Sequence, residues 1–87
     1  MEITLNKDIV YLDGKAIPNS NMGKILANQL SQHKGGDALK LWDWAQKLYN
    51  GKKLDLDPSD LATLKNFVEH ESGLPNITRA QILAILK

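Results

Sequence analysis

The segment from Asp37 to Tyr49 constrains the fold most strongly, because it holds both tryptophans of the chain and lies between glycines. Its apolar residues recur at the spacing of an amphipathic helix. At 100° per residue, one face holds Ala38, Leu41, Trp42, Ala45, Leu48 and Tyr49. Trp44 falls at the border of this face, and Leu39 falls among the polar residues. We therefore predict a central helix with Trp42 in the core, Trp44 half-buried at its edge, and some apolar surface left for a partner.

The first 18 residues predict a β-element, because short apolar runs there alternate with polar residues or are β-branched in character. Asp13-Gly14 is a dipeptide preferred in a two-residue type I′ hairpin, where both turn positions need positive φ. Pro18 is expected to end the returning strand because it lacks a backbone N–H. An additional turn at residues 6–8 would make a three-strand meander. The sequence leaves the hairpin and the meander open.

Helix-start signals divide the remainder of the chain into four short helices. The first is expected from about Met22 to His33, with candidate N-caps at residues 19–21. Asp57 and Pro58 provide the cap and first position of the third helix. Thr78 and Gln81 form a capping box for the fourth helix, which continues to the chain end. The predicted fold is α+β and mainly helical, in one domain of residues 1–87, with a β-element (1–18) before a compact four-helix part (19–87).

The composition argues against several classes of partner, chemistry and location. The 87 residues carry a formal net charge of +1, from eleven basic and ten acidic residues, so no broad field attracts a polyanion. Nucleic acid is therefore not the default partner. The absence of cysteine excludes disulfides and thiol chemistry. No signal peptide or apolar run of about 18 residues is present, so we expect a cytoplasmic protein that does not bind membranes.

The sequence also lacks a pattern typical of catalysis. Its two histidines, His33 and His70, have no neighbours that match a nucleophile–base arrangement. Ligand spacing for a metal is absent, and the glycine pair before the tryptophan helix lacks both nucleotide-binding fingerprints. His33 is expected at a helix C-terminus, with a polar pair formed by His33 and Gln29 as the alternative. We expect a non-enzymatic protein with no metal or cofactor.

Two sets of residues are candidates for binding. The first set is apolar and would contact a protein partner, with a second copy of the chain as one option: Leu39, Trp44, Leu83 and Leu86. The second set lies on the last helix and would contact nucleic acid in the alternative function, a small regulatory nucleic-acid-binding protein: Arg79, Gln81 and Lys87. We favour a protein–protein interaction module over that alternative.

From Gly36 to Gly51, and on through Leu54-Asp-Leu-Asp57, the chain resembles small proteins encoded in phage and prophage genomes. Their outline is a short strand pair, a helix like the one from Met22 to Leu30, a second helix, an acidic turn and a third helix. The resemblance covers most of the chain and contains no chemical motif. It implies a viral or mobile-element context, such as a phage accessory or assembly factor, and assigns no functional residue.

Overall fold

Helices and short strands occupy most of residues 1–86, the part of the chain that this computed structural model describes. In chain order the elements are β1 (Glu2–Ile3), β2 (Asp8–Val10), β3 (Ala16–Asn21), α1 (Met22–Gln32), α2 (Ala38–Tyr49), β4 (Leu54–Asp55), α3 (Pro58–Asn66) and α4 (Asn76–Leu86). One π-helical turn, Phe67–Glu71, continues α3. This small, mainly helical α+β fold confirms the predicted class.

The strands form two antiparallel pairs in place of a meander. β2 pairs with β3, which confirms the hairpin. β1 leaves the hairpin and pairs with β4, placing Ile3 opposite Leu54. The meander is therefore not formed. Leu54 and Leu56 are buried and alternate with exposed aspartates, the period-two pattern of a strand with one buried face.

The hairpin loop differs from the predicted two-residue turn. The backbone N–H of Gly14 donates to the carbonyl of Tyr11 at 2.9 Å, and that of Tyr11 donates to the carbonyl of Lys15 at 2.9 Å. Gly14 has φ 84°, whereas Asp13 is not in the left-handed region. The loop is thus a three-residue turn closed by a glycine bulge. Asp13 contributes through its side chain, whose Oδ1 accepts from the Lys15 N–H at 2.9 Å.

β3 continues past Pro18 to Asn21, three residues beyond the predicted end of the β-element. The strand pair is irregular here, and Asn19 has φ 59°. The buried hydroxyl of Ser20 replaces the missing backbone ladder: it accepts from the Ile9 N–H at 3.0 Å and donates to the Ile17 carbonyl at 2.6 Å. A side-chain bond therefore permits a strand that proline was expected to stop.

The first turn of α1 is fixed by backbone contacts from the chain before it. Asn21 is the N-cap, and its side-chain oxygen accepts from the Lys24 N–H at 3.1 Å. The N–H of Met22 donates to the Lys7 carbonyl, and that of Gly23 to the Leu5 carbonyl. These bonds satisfy N–H groups that a helix start leaves without partners. They hold α1 at a defined position over the strands.

Gly23 permits α1 and α2 to approach closely. A Cβ atom at this position would lie 2.6 Å from the backbone carbonyl oxygen of Leu48. Gly23 is therefore a close-packing position at the start of α1. The contact fixes which side of α2 faces the core.

α2 is rotated by about 50° from the predicted orientation, half the 100° step between successive residues. Its buried residues are Leu41, Trp44, Ala45 and Leu48. Trp44 is 5% exposed and Trp42 is 54% exposed, so the predicted roles of the two tryptophans are reversed. The prediction was wrong because apolar residues cover more than half of this helix. Periodicity alone could not determine which part the tertiary packing would bury.

The second half of the helical part begins at its predicted residue, and a π-helical turn then extends α3. Asp57 caps α3, accepting from the Asp60 N–H at 2.7 Å, with Pro58 as the first residue. The π-helical turn was not predicted. α4 begins at Asn76, because the carbonyl of Pro75 accepts from the N–H groups of Thr78 and Arg79. The capping box expected at Thr78 is therefore not the start of this helix.

Buried side chains from all four helices and from β1, β2 and β4 form one core. Its fully buried members include Leu26, Leu48, Leu64 and Ile82.

We predict that truncating the two tryptophans has unequal effects. Trp44→Ala should lower the free energy of unfolding by about 3–5 kcal/mol, because it empties a core position. Trp42→Ala is the matched control and should cost less than about 1 kcal/mol, as expected at an exposed site. Urea denaturation of both variants measures the difference. Equal losses, or a larger loss for Trp42→Ala, would contradict the orientation of α2.

Gly23→Ala should destabilise the protein by about 1–3 kcal/mol, since the added methyl group meets a backbone atom that has no rotamer to change. An ordinary exposed helix position behaves in the opposite way, with alanine more stable than glycine by roughly 0.5–1 kcal/mol. The control is Ala80→Gly in α4, which should show that ordinary loss. A Gly23→Ala variant more stable than the parent in the same urea assay would rule out the close approach.

Candidate protein-binding site

The four residues predicted to bind a protein partner do not form one surface. Leu39 is 84% exposed, as expected, and Leu83 is partly buried against the core. Trp44 and Leu86 are buried in the core, so they cannot belong to an exposed binding surface. Trp44 is covered because α2 is rotated toward it, and Leu86 because the last turn of α4 packs on the core.

Exposed apolar side chains do occur on α2, on the side opposite to Trp44. Trp42 and Tyr49 are 54% and 53% exposed. They are seven residues apart, which places them two turns apart on one face. Ala38, which is exposed, and Ala45, which is buried, lie four residues before each of them on the same side of the helix. The sequence contained this pattern, but it was assigned to the core because the same residues also fit a buried stripe.

Trp42 and Tyr49 border a groove between α1 and α2 with a volume of about 360 Å³. We call it the α1–α2 groove, and its lining residues are Ala27, Asn28, Ser31, Trp42, Ala45, Gln46, Tyr49 and Asn50. None of them carries a charge, although 24% of the chain is charged. Two small alanines and two large aromatic side chains, with amides and a hydroxyl among them, are typical of a surface that accepts apolar side chains.

The apolar surface continues beyond the groove toward the start of α2. A second depression of about 400 Å³ shares Ser31 and Trp42 with the groove and includes Ala38 and Leu39. Trp42 therefore lies in the middle of one strip that runs the length of α2. Leu39, the one correctly predicted exposed residue, is at its far end.

Tyr49 and the end of α2 are held by neighbouring polar groups. The ammonium group of Lys24 lies 5.4 Å from the centre of the Tyr49 ring, within range of a cation–π contact. The side-chain amide of Asn50 donates to the Gln46 carbonyl at 2.8 Å. These contacts restrict the groove's end before anything binds, which lowers the entropic cost of binding.

A larger cleft of about 680 Å³ lies between the α1–α2 loop and α3, and two side-chain pairs join the elements around it. Lys40 Nζ lies 2.8 Å from Asp60 Oδ1, and His33 Nε2 lies 3.0 Å from Glu71 Oε2. The hydrogen bond from Lys40 to Asp60, together with the charge of Asp60, raises the pKa of Lys40 above its ordinary value. Lys40 therefore stays protonated at neutral pH, and its bond to Asp60 joins α2 to α3. We attribute a structural role to this cleft.

His33 takes the place expected for it, as the C-cap of α1. Its ring also meets the ring of Phe67 edge-on, at 5.0 Å between centroids. The contacts of its side chain are thus with the π-helical turn, through Phe67 and Glu71. The alternative pair of His33 with Gln29 is not formed.

Two of the three residues predicted for nucleic acid, Gln81 and Arg79, are engaged within the protein. The Gln81 side chain accepts from the Val10 N–H at 2.9 Å and donates to the Val10 carbonyl at 2.8 Å. Arg79 donates to the carbonyl of Glu69 at 3.2 Å and to the side chain of Asn76. Lys87 lies outside the described residues. Gln81 thus fastens α4 to the edge of β2, a contact across 71 residues that sequence spacing does not reveal.

Residues 1–86 contain neither a cluster of metal-ligating side chains nor a helix that could span a membrane. No three side chains of the types His, Asp and Glu lie close enough there to hold a metal ion. Among the helices described, none is both long enough and apolar enough to cross a membrane.

Comparison with protein-family models, with curated proteins and with solved structures found no match. The resemblance to phage-encoded proteins therefore stays a prediction.

Proposed function

We propose that this protein is a non-enzymatic protein–protein interaction module and that it binds another protein chain through the α1–α2 groove. The observation that carries the proposal is the half-exposure of both Trp42 and Tyr49 beside an uncharged groove. Tryptophan and tyrosine are the side chains most enriched among residues that dominate binding energy. Monomeric soluble proteins rarely expose two such aromatic side chains on one apolar strip, and a strip of this kind is typical of a binding surface.

The shape of the groove favours a helical partner segment. Two packed helices form its walls, and the small side chains of Ala27 and Ala45 form its floor. An amphipathic helix laid into such a groove would place its apolar side chains between Trp42 and Tyr49 and complete a three-helix arrangement.

Nucleic-acid binding is the weaker alternative. It would require Gln81 to give up both hydrogen bonds to Val10 before its amide could read a base edge. The charge balance supplies little attraction for phosphates. A phage accessory or assembly role and a cytoplasmic location remain predictions that accompany the interaction-module proposal.

The proposal is tested by comparing variants as bait. Wild type, the double variant Trp42→Ser/Tyr49→Ser, and Leu12→Ser are immobilised and exposed to a lysate of the source organism. Leu12 is the control because it is 90% exposed at the hairpin tip, away from the groove. Proteins retained by wild type and Leu12→Ser but lost from the double variant are then purified and titrated by calorimetry.

We expect saturable binding to wild type that Trp42→Ser weakens about 30-fold or more, the effect of removing a dominant interface residue. Circular dichroism checks that each variant is folded. If wild type and the double variant retain the same proteins, the groove is not the binding site and the proposal fails.

A further inference from the structure

We infer that the α1–α2 groove is occupied by a second copy of this chain, with the two α2 helices packed antiparallel. This inference rests on the proposed function and names the partner. A two-fold symmetric interface requires a surface that is complementary to itself. The α2 strip has that property in the order of its side chains, in their sizes and in their charges.

The strip of α2 beside the groove has the spacing of a helix–helix seam. Ala38, Trp42, Ala45 and Tyr49 are separated by four, three and four residues, the alternation that lines one side of a coiled coil. The buried face of α2 uses a neighbouring seam that contains Leu41, Trp44 and Leu48. The two seams meet at Ala45, which is buried and forms the groove floor, whereas Trp42 and Tyr49 of the second seam stay about half exposed.

The sizes of the side chains are complementary when the second helix runs in the opposite direction. With the two-fold axis between Asp43 and Trp44, Trp42 of each copy lies opposite Ala45 of the other. Tyr49 likewise lies opposite Ala38. Each large aromatic side chain meets a small one, the alternation that allows two helices to interdigitate. A parallel arrangement would place Trp42 against Trp42 and lose this fit.

The charges around the seam also allow the two α2 helices to pack antiparallel. The groove lining is uncharged, so identical surfaces meet without like charges at their centre. Lys40 and Lys47 lie on the side of α2 that faces away from the seam, and each is paired within its own chain, with Asp60 and Asp43 respectively. Leu39, which is 84% exposed, lies beside the position of the second copy's Tyr49 and would be covered with it.

Sedimentation equilibrium from micromolar to millimolar protein tests the inference. We expect a monomer–dimer equilibrium in wild type and in Leu12→Ala, the control at the hairpin tip. Trp42→Ala and Tyr49→Ala should each raise the dimer Kd about 30-fold or more while the fold is retained. A wild type that stays monomeric throughout, or a dimer that survives both substitutions, would overturn the inference.

Paramagnetic broadening tests the antiparallel arrangement. The chain has no cysteine, so Lys47→Cys accepts one nitroxide label. Labelled chains without ¹⁵N are mixed with ¹⁵N wild type, and only contacts between copies broaden amide signals. Broadening strongest at residues 38–42 is expected. Broadening strongest around residue 47 would indicate a parallel pair and overturn the inference.

The two proposals fail in distinguishable ways. A monomer in sedimentation removes the second copy as occupant, whereas the bait comparison decides separately whether the groove binds another protein. A dimer that is lost in Trp42→Ala supports both.

Discussion

The close approach of Gly23 to the carbonyl of Leu48 is the constraint on which the remaining structure depends. It requires a residue without a side chain at the start of α1, and it places the Leu48 turn of α2 directly against that start. The Gly23 N–H also donates to the Leu5 carbonyl, which ties the same point to the N-terminal segment. Strands, α1 and α2 therefore meet at one backbone junction whose geometry leaves little freedom.

The orientation of α2 has consequences for both the core and the surface. With Leu48 fixed against α1, Leu41 and Trp44 are directed into the core, and Trp42 and Tyr49 are left beside the groove. The stability of the fold and the candidate binding surface thus originate from one helix. Because its two seams are adjacent, a rotation of about half a residue step, some 50°, would exchange a core tryptophan for a surface one.

Local signals predicted much of the architecture. Asp57-Pro58 marked the start of α3, the candidate caps before Met22 included the true one, and the hairpin was expected near Gly14. Such signals act over a few residues, so they are visible in the sequence. Contacts between distant residues were not predictable in this way. The pairing of β1 with β4 and the attachment of Gln81 to Val10 depend on tertiary packing.

The candidate site likewise contains one residue that local sequence signals place correctly and others that only tertiary packing places. Leu39 was placed on the surface because it falls among polar residues, and that assignment was correct. Trp44 and Leu86 were assigned to the surface and are buried, while Trp42 and Tyr49 were assigned to the core and are exposed. On a helix with apolar residues around most of its circumference, hydrophobicity identifies the helix but not its buried side. The backbone contact at Gly23 supplies the missing information.

The most direct test of this account is acrylamide quenching of tryptophan fluorescence in two single-tryptophan variants. Trp42→Phe retains only the buried Trp44, and Trp44→Phe retains only the exposed Trp42. At protein concentrations low enough to keep the chain monomeric, we predict blue-shifted emission and weak quenching for Trp42→Phe, with red-shifted emission and strong quenching for Trp44→Phe. The reverse result would show that Trp42 is the core residue, and it would contradict both the orientation of α2 and the binding surface derived from it.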